Sequence, residues 1–325
     1  MAEERHRAMK IFVTGISGLL GLNIALQVRE RYEVSGCYVT HPVALDGMRA
    51  LKLDLTSPEE TEIAVRRIQP DLVIHTAGLT SVETCEADPS LAYRLNVEAT
   101  HHIAKAASDL GARLVHISTD HLFDGASPWT MEGDTPHPLN VYAETKLQAE
   151  EVACQLCPDA LVIRTNFFGW GTSIRASFSD WVLKSLEQGR ELTMFADVFF
   201  TPILINHLVE LILRLVDHSA AGIFHVVGGE RLSKYDFALK VAEVFGYPKD
   251  KIRAVSVEDF PFKAQRPKDM SLSSEKAESY LGLRMPDAEE GLKHLKSLEA
   301  EGRREALEEA IQRGVLLQPA LRLKE

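Results

Sequence analysis

No stretch of the sequence approaches the roughly 20 consecutive apolar residues that a membrane-spanning helix requires. The first ten residues, MAEERHRAMK, are charged and lack the apolar centre of a signal peptide. We therefore expect a cytoplasmic protein with no membrane partner, in which residues 1–8 form a mobile leader.

Cysteine is scarce. The chain has four, Cys37, Cys85, Cys154 and Cys157, which are too few and too scattered for a disulfide framework in 325 residues. Cys154 and Cys157 form a C-x-x-C pair at the end of a predicted helix, but no partners at the spacing of a zinc site accompany them. We interpret them as ordinary helix residues and expect no metal, with redox or metal use as the alternative.

Basic charge is also in deficit. Lys and Arg number 36 against 47 Asp and Glu, which gives a net charge of −11. Because this field repels a polyanion, we expect no nucleic-acid partner. A local basic site for a phosphorylated small molecule stays open. The hydrophobic fraction of 45% and the charged fraction of 26% are typical of a globular protein.

Short apolar runs rich in β-formers alternate with longer helical patterns in the first half of the chain, which predicts βαβ units around a parallel sheet. The predicted strands are Lys10–Thr14, Glu33–Val39, Leu51–Lys52, Leu72–Thr76, Arg113–Ser118 and Leu161–Arg164. The predicted helices are Leu19–Arg31, Pro58–Ile68, Ser90–Leu110 and Val141–Cys157. Because such crossovers are almost always right-handed, this order predicts an α/β fold of the Rossmann type with a doubly wound parallel sheet.

The regular alternation fades after Thr165, which predicts a second, smaller part. We expect residues 9–168 and about 201–227 to form an NAD(P)-binding Rossmann domain, and about 169–200 with 228–298 to form a C-terminal substrate-binding lobe. Residues 299–325 are expected to form a charged helical tail for packing or oligomer contact. The later predicted elements are helices Phe178–Gln188, Ile205–Val216 and Lys234–Phe245, strand Gly222–Val227 and one or two helices within Pro286–Arg313.

A glycine turn follows the first predicted strand. The segment TGISGLLG spaces Gly15, Gly18 and Gly21 three residues apart and then opens a helix. Such glycines allow a tight turn and a close approach to a pyrophosphate, while the helix N-terminus supplies free N–H donors. The spacing departs from G-x-G-x-x-G, so an ordinary glycine turn is the alternative. The candidate cofactor contacts are Gly15, Ser17, Gly18, Leu19, Leu20 and Gly21.

Thr40 and His41 follow the second predicted strand, where an NAD enzyme usually places an acidic residue for the ribose 2′-hydroxyl. This favours NADP(H) over NAD(H) as cofactor. Further along, Asp54 beside Leu55 is a candidate for the adenine amino group. The alternative for Asp54 is a helix-capping role ahead of Pro58.

The fourth predicted strand is followed by HTAGLTSV. Its small residues Ala77 and Gly78 would let the backbone pass beneath the nicotinamide ribose. We interpret His75 as a packed strand residue.

Tyr142 and Lys146 lie four residues apart on one face of a predicted helix. The reference pKa of tyrosine is roughly 10, and we expect the Lys146 cation to favour the phenolate and to hold the nicotinamide ribose. Thr119 ends a predicted strand, where its hydroxyl can bond a substrate carbonyl. The Y-x-x-x-K pattern alone is common on solvated helices. It indicates a catalytic pair here because it follows a glycine turn and a Ser-Thr strand end.

Together these segments resemble a known family, that of dTDP-4-dehydrorhamnose reductase among the extended short-chain dehydrogenases/reductases. The resemblance covers residues 10 to about 283, and STDxxFDG and RPKDxxL are its most specific motifs. The segments are TGISGLLG, HTAGLTSVETCEADP, LNVEAT, ISTDHLFDG, LNVYAETKLQAEE, VIRTNFFGWG and RPKDMSLSSEKAESYLG.

The resemblance implies an NAD(P)H-dependent reductase of a nucleotide-linked 4-keto-6-deoxysugar, as in dTDP-rhamnose biosynthesis, and a homodimer as the assembly. It implies Thr119, Tyr142 and Lys146 as the catalytic triad, with Asn96 as the structural asparagine of the active site. Arg266 is the best candidate for the substrate diphosphate, because a guanidinium matches phosphate geometry. Arg164 is a candidate near the substrate or a structural arginine. The remaining candidates for substrate contact are Thr80, Val82, Asp120, Phe123 and Asn166.

Two positions depart from the family pattern: His121 replaces a tyrosine and Ala143 replaces a glycine. Related 4,6-dehydratases carry an Asp-Glu pair after the strand-end threonine, whereas this chain has Asp120 and His121, so dehydration lacks its base. An epimerase shares the triad and stays open. A second alternative is a non-catalytic, NADP-binding regulatory subunit like the β subunit of methionine adenosyltransferase, which belongs to the same family.

Overall fold

The computed structural model describes residues 8–321, with side chains described to residue 317. Residues 1–7 of the predicted leader and residues 322–325 of the predicted tail lie outside the described residues. The strands are β1 (Lys10–Thr14), β2 (Glu33–Tyr38), β3 (Met48–Lys52), β4 (Leu72–His75), β5 (Arg113–Ile117), β6 (Leu161–Arg164), β7 (Phe167–Phe168), β8 (Leu192–Phe195), β9 (Phe199–Phe200), β10 (Ile203–Leu204), β11 (Gly222–His225), β12 (Leu232–Ser233) and β13 (Ile252–Val255). The helices are α1 (Leu19–Val28), α2 (Pro58–Ile68), α3 (Val82–Ala87), α4 (Pro89–Tyr93), α5 (Ala99–Leu110), α6 (Val141–Leu156), α7 (Phe178–Glu187), α8 (Ile205–Asp217), α9 (Lys234–Phe245), α10 (Glu275–Leu281), α11 (Ala288–Ala300) and α12 (Arg303–Leu321).

A seven-stranded parallel sheet forms the centre of the molecule, in the order β11-β6-β5-β4-β1-β2-β3. The chain runs outward from β1 to β3 and then returns to place β4 on the other side of β1. The carboxyl ends of β1 and β4 therefore border the crevice in which open α/β sheets bind ligands. The predicted doubly wound α/β fold is confirmed.

The strands are apolar on both sides because helices cover both faces of the sheet. In β1, Ile11 and Val13 pack into the larger core, whereas Phe12 points to the opposite core with Val73 and Leu114. This alternation follows from the two-residue side-chain period of a strand. The two cores fix the sheet rigidly beneath the crevice.

The predicted helix Ser90–Leu110 is wrong as a single α-helix. The structure has α4, a π-helical turn at Arg94–Glu98 and then α5. Helix α4 begins at Pro89, and the carboxylate of Asp88 caps it by accepting from Leu91 N at 2.9 Å. The π turn holds Asn96, whose side chain bonds outside the helix, and such turns are common at functional sites. Other elements also differ from the prediction: α3, α10 and the short strands of the second half are additional, α1 ends at Val28 instead of Arg31, and β3 begins at Met48 instead of Leu51.

The second half of the chain builds short strand pairs and helices beside the sheet. Strand β13 pairs in parallel with β8, β10 with β7, and β12 is antiparallel to β9. Strand β11 returns to the main sheet beside β6, where His225 pairs with Arg164. The boundaries of the Rossmann domain and of the substrate-binding lobe remain predictions.

The C-terminal helix α12 packs back on the loop after β2. Leu307 and Ala310 are buried, and the carbonyl of Ala310 accepts a hydrogen bond from Ala44 N at 2.9 Å. Arg313 forms an ion pair with Asp46 at 2.5 Å. This charged segment is therefore attached to the body of the protein. Within residues 8–321, no helix is both long enough and apolar enough to cross a membrane.

Candidate active site

The glycine turn after β1 leaves no room for side chains. Gly15 has φ +65°, and a Cβ there would lie 2.9 Å from the Cα of Ala77. A Cβ on Gly21 would lie 2.4 Å from the carbonyl oxygen of Gly15. Helix α1 begins after Gly18 with no side-chain cap, so its first N–H groups are left for a ligand. This cradle fits the pyrophosphate of a dinucleotide.

Two exposed residues, Thr40 and His41, lie just beyond the end of β2, and neither carries a carboxylate. Asp54 is also exposed, and its Oδ1 accepts from the backbone N and the hydroxyl of Thr56 at 3.0 and 2.8 Å. Ser57, not Asp54, caps α2. Asp54 thus makes a turn ahead of that helix, and its adenine contact stays a prediction, as does that of the buried Leu55.

Asn96 joins the loop after β4 to helix α6. Its Oδ1 accepts from Leu79 N at 2.7 Å, and its Nδ2 donates to the hydroxyl of Thr145 at 3.0 Å. A Cβ on Gly78 would lie 2.9 Å from this Oδ1. Asn96 therefore holds the Ala77–Gly78 segment against the helix of Tyr142 and Lys146, as a structural asparagine would.

The hydroxyl of Thr119 lies near that of Tyr142 and acts on its pKa. Both residues are buried, and burial raises the pKa of Tyr142 to about 12, although the Thr119 hydroxyl opposes this rise. The charge of Asp120 raises the pKa of Tyr142 further, whereas Arg175 lowers it. The strand end of β5 and the first turn of α6 thus bring two hydroxyl groups to one point.

Lys146 is directed at the end of β5. Its Nζ donates to the carbonyl of Ile117 at 2.8 Å and lies 3.4 Å from Nε2 of His116. Burial lowers the pKa of Lys146 to about 8. Burial dominates the pKa of Tyr142 and raises it, so the expected lowering by the Lys146 charge stays a prediction.

Asp120 and Asn166 meet beside the hydroxyl pair. The Nδ2 of Asn166 donates to Oδ2 of Asp120 at 2.5 Å, and Asp120 is 2% exposed. His121 places its ring edge-on to Tyr142, with 5.7 Å between the ring centroids. The departure from tyrosine at position 121 therefore puts an imidazole directly against Tyr142.

Three other candidates lie around the same helix end. The hydroxyl of Thr80 accepts from Nη2 of Arg175 at 2.5 Å. Val82 packs in one apolar cluster with Tyr142. Arg266 forms a partly exposed ion pair with Glu83 at 3.1 Å and stacks over Phe262. Its Nε is buried without a hydrogen-bond partner in the described part of the chain.

Arg164 and Phe123 are placed in the core. Arg164 forms a buried ion pair with Glu150 at 2.7 Å, and both side chains are 3% exposed. The Arg164 guanidinium lies 5.4 Å from the ring centroid of Phe123, which packs with Leu122 and Leu272. Of the two interpretations of Arg164, its contacts agree with the structural one.

Sequence reasoning missed three residues at this site: His116, Arg175 and Lys234. No local motif marks Arg175, which reaches Thr80 from a loop 95 positions later. Lys234 opens α9, where the capping box of Ser233 and Asp236 signals a helix start but not a function. Only the fold brings these residues to the crevice.

The glycine cradle, the Thr119–Tyr142 pair and Lys146 on a doubly wound sheet define an oxidoreductase of the short-chain dehydrogenase/reductase type that uses a nicotinamide cofactor. Within that class, the chain belongs to the family described as the RmlD substrate binding domain, whose model matches residues 9–299.

Similar proteins carry two kinds of name. The chain is 33% identical to dTDP-4-dehydrorhamnose reductase of Escherichia coli strain K12 over 256 residues, 74% of this chain and 84% of the other. It is 29% identical to methionine adenosyltransferase 2 subunit beta of Rattus norvegicus over 303 residues, 85% and 84% of the two chains. A crystal structure of dTDP-4-dehydrorhamnose reductase from Bacillus anthracis in complex with NADP has a TM-score of 0.80 and 27% identity, covering 89% of this chain and 99% of that one.

Proposed function

We propose that the protein reduces the 4-keto group of a nucleotide-linked 6-deoxysugar, with NADPH preferred to NADH. The observation that carries the proposal is the pair of buried Thr119 and Tyr142 hydroxyls that lie near each other just beyond the end of β5, beside the glycine cradle. Such a pair can bind one carbonyl oxygen and deliver one proton to it. The absence of an acidic residue at Thr40 and His41 supports the preference for NADPH.

When bound, the nicotinamide supplies a hydride to the keto carbon. Thr119 donates a hydrogen bond to the carbonyl oxygen, and Tyr142 transfers its phenolic proton to that oxygen as negative charge develops there. The raised pKa of Tyr142 keeps this proton in place at neutral pH. Lys146 anchors helix α6 to the end of β5, and Asn96 anchors the loop after β4 to the same helix. Both contacts position the groups that would hold the cofactor beside Thr119 and Tyr142.

The rival activities differ in what the site must contain. A 4,6-dehydratase needs a carboxylate after Asp120, whereas this site has His121, whose pKa is lowered by burial. A regulatory subunit needs a bound cofactor but no turnover. An epimerase needs a cofactor that returns its hydride and is not consumed.

The test is NADPH oxidation by the purified protein with dTDP-4-keto-6-deoxy-L-mannose, run beside Tyr142→Phe. We expect stoichiometric NADPH consumption in the wild type and a loss of about 10²- to 10⁴-fold in kcat in the variant, which cannot donate the proton. NADPH affinity should be unchanged. Tight NADPH binding without turnover on any keto-sugar would contradict the proposal and support a regulatory subunit, and sugar isomerisation without NADPH consumption would support an epimerase.

A further inference from the structure

Lys234 is a cation without an ionic partner. It is the first residue of α9, and its Nζ lies 3.2 Å from the ring centroid of Phe200 and 5.2 Å from that of Phe178. Within the described side chains, it forms no ion pair and no side-chain hydrogen bond. Asp236, in the same turn, is engaged by the hydroxyl of Ser233 at 2.6 Å.

Three other cations near the start of α9 have carboxylate partners. Arg231 pairs with Asp269 at 2.5 Å, Lys240 with Glu230 at 3.1 Å, and Lys268 with Glu258 at 2.5 Å. Lys234 therefore stands apart among the basic residues near the start of α9.

Its position is also unfavourable for a cation. Burial lowers the pKa of Lys234 to about 8, so the charged form is poorly solvated. The N-terminus of a helix carries partial positive charge, which repels an ammonium. The aromatic rings and the more distant charge of Asp120 offset only part of this cost. A neutral apolar side chain would be more stable here, which points to a role in binding.

The Lys234 ammonium lies near residues of the candidate site. Phe178, one of the two rings that it contacts, begins α7 three residues after Arg175, whose guanidinium bonds Thr80. In agreement with this placement, the charge of Lys234 acts on the pKa of His121, whose ring lies against that of Tyr142. These contacts place Lys234 at the edge of the candidate site, where α7 and α9 begin.

We propose that Lys234 is a substrate-binding residue that holds an anionic oxygen of the diphosphate of the sugar nucleotide. This inference rests on the proposed function for the identity of the ligand class, and it adds a second cation to Arg266. This anion supplies the ionic partner that Lys234 lacks among the described side chains. Because burial already removes water from the ammonium, its hydrogen bond to the anion is charge-assisted and strong.

The experiment measures nucleotide binding by isothermal titration calorimetry to the NADPH-saturated protein, so it does not depend on turnover. The probes are UDP-glucose, dTDP-glucose and UDP-glucuronate, and the variants are Lys234→Met and Lys234→Arg. The matched control is Lys240→Met, which removes the same charge from the same helix. We expect Lys234→Met to weaken binding at least about tenfold, Lys234→Arg to retain most of it, and Lys240→Met to change it little.

The probes test the assignment to the diphosphate. Equal weakening for all three nucleotides supports it, and weakening for UDP-glucuronate alone would contradict it, because only that probe carries a sugar carboxylate. Unchanged affinities in Lys234→Met would overturn the inference, as would failure of all three nucleotides to bind the wild type. The melting temperature gives an independent check: it should stay level or rise in Lys234→Met, and a fall with unchanged binding would mean a structural role. Keto-sugar turnover is a separate assay, so a failed reductase proposal remains distinguishable.

Discussion

The ammonium of Lys146 lies 3.4 Å from Nε2 of His116. The pKa of His116 is held well below its usual range by burial, so its ring is neutral and can accept a hydrogen bond from the ammonium. Lys146, which we expected to act on Tyr142, is thus held by His116 and Ile117 at the end of β5. This arrangement makes the charge of Lys146 sensitive to pH near neutrality.

We predict that the reductase rate falls as pH rises through about 8. Lys146 has its pKa lowered to about 8 by burial, and it loses its charge above that value. His116→Phe removes the acceptor that favours the ammonium, so we expect the alkaline inflection to move to lower pH. The measurement is kcat against pH from 6 to 10. A wild-type profile that is flat across this range would contradict the prediction.

Gly15→Ala should impair both NADPH binding and folding. Its Cβ would meet the Cα of Ala77 at 2.9 Å, in addition to the strain of roughly 1–2 kcal/mol that a left-handed residue with a Cβ incurs. Gly111→Ala is the matched control, since Gly111 has φ +66° and open space around it. We expect similar strain in both variants but weaker NADPH binding only in Gly15→Ala, as measured by fluorescence titration and urea unfolding. Equal NADPH affinities would contradict the assigned cofactor cradle.

Glu150→Gln should destabilise the protein by about 3–5 kcal/mol, because it leaves the buried Arg164 charge without its partner. The double variant Glu150→Leu with Arg164→Met should recover most of that loss. A surface control, Glu243→Gln, breaks the exposed pair with Lys249 and should change the free energy of unfolding little, because water screens that pair. Urea unfolding gives the free energies. A double variant that is stable but binds sugar nucleotide poorly would show that Arg164 contributes to substrate binding.

Stability should fall in mild acid. Burial lowers the pKa of His75 and of His225 to about 3, whereas an unfolded histidine has a pKa near 6.5. Below pH 6.5 the unfolded chain therefore binds protons that the folded protein does not, and each histidine costs about 2 kcal/mol of stability by pH 5.

His225 is the sharper test of this acid effect, because both of its ring nitrogens lack a hydrogen-bond partner in the described residues. We expect His225→Phe to lose less stability than the wild type between pH 7.5 and 5.0, and the exposed-site control His101→Gln to behave like the wild type. Urea midpoints at the two pH values give the comparison. Parallel losses in all three proteins would show that His225 is not responsible.

The alternation of apolar strands and amphipathic helices was enough to predict the fold, because a parallel sheet covered on both faces needs that pattern. Helix α2, strand β6 and helix α9 have the predicted bounds. The π turn around Asn96 was not predictable from helical periodicity. It depends on hydrogen bonds to Leu79 and Thr145, which are distant in sequence.

The sequence by itself determined the doubly wound sheet, the glycine turn and the Thr119, Tyr142 and Lys146 candidates, since each depends on residues that are close together in the chain. Tertiary structure alone decided what surrounds them. The pKa of Tyr142 is raised because the fold buries the phenol, and the Lys234 ammonium lies over the ring of Phe200 because β9 pairs with β12 just before α9 begins. Burial and charges from distant segments set these properties, and neither is encoded in local spacing.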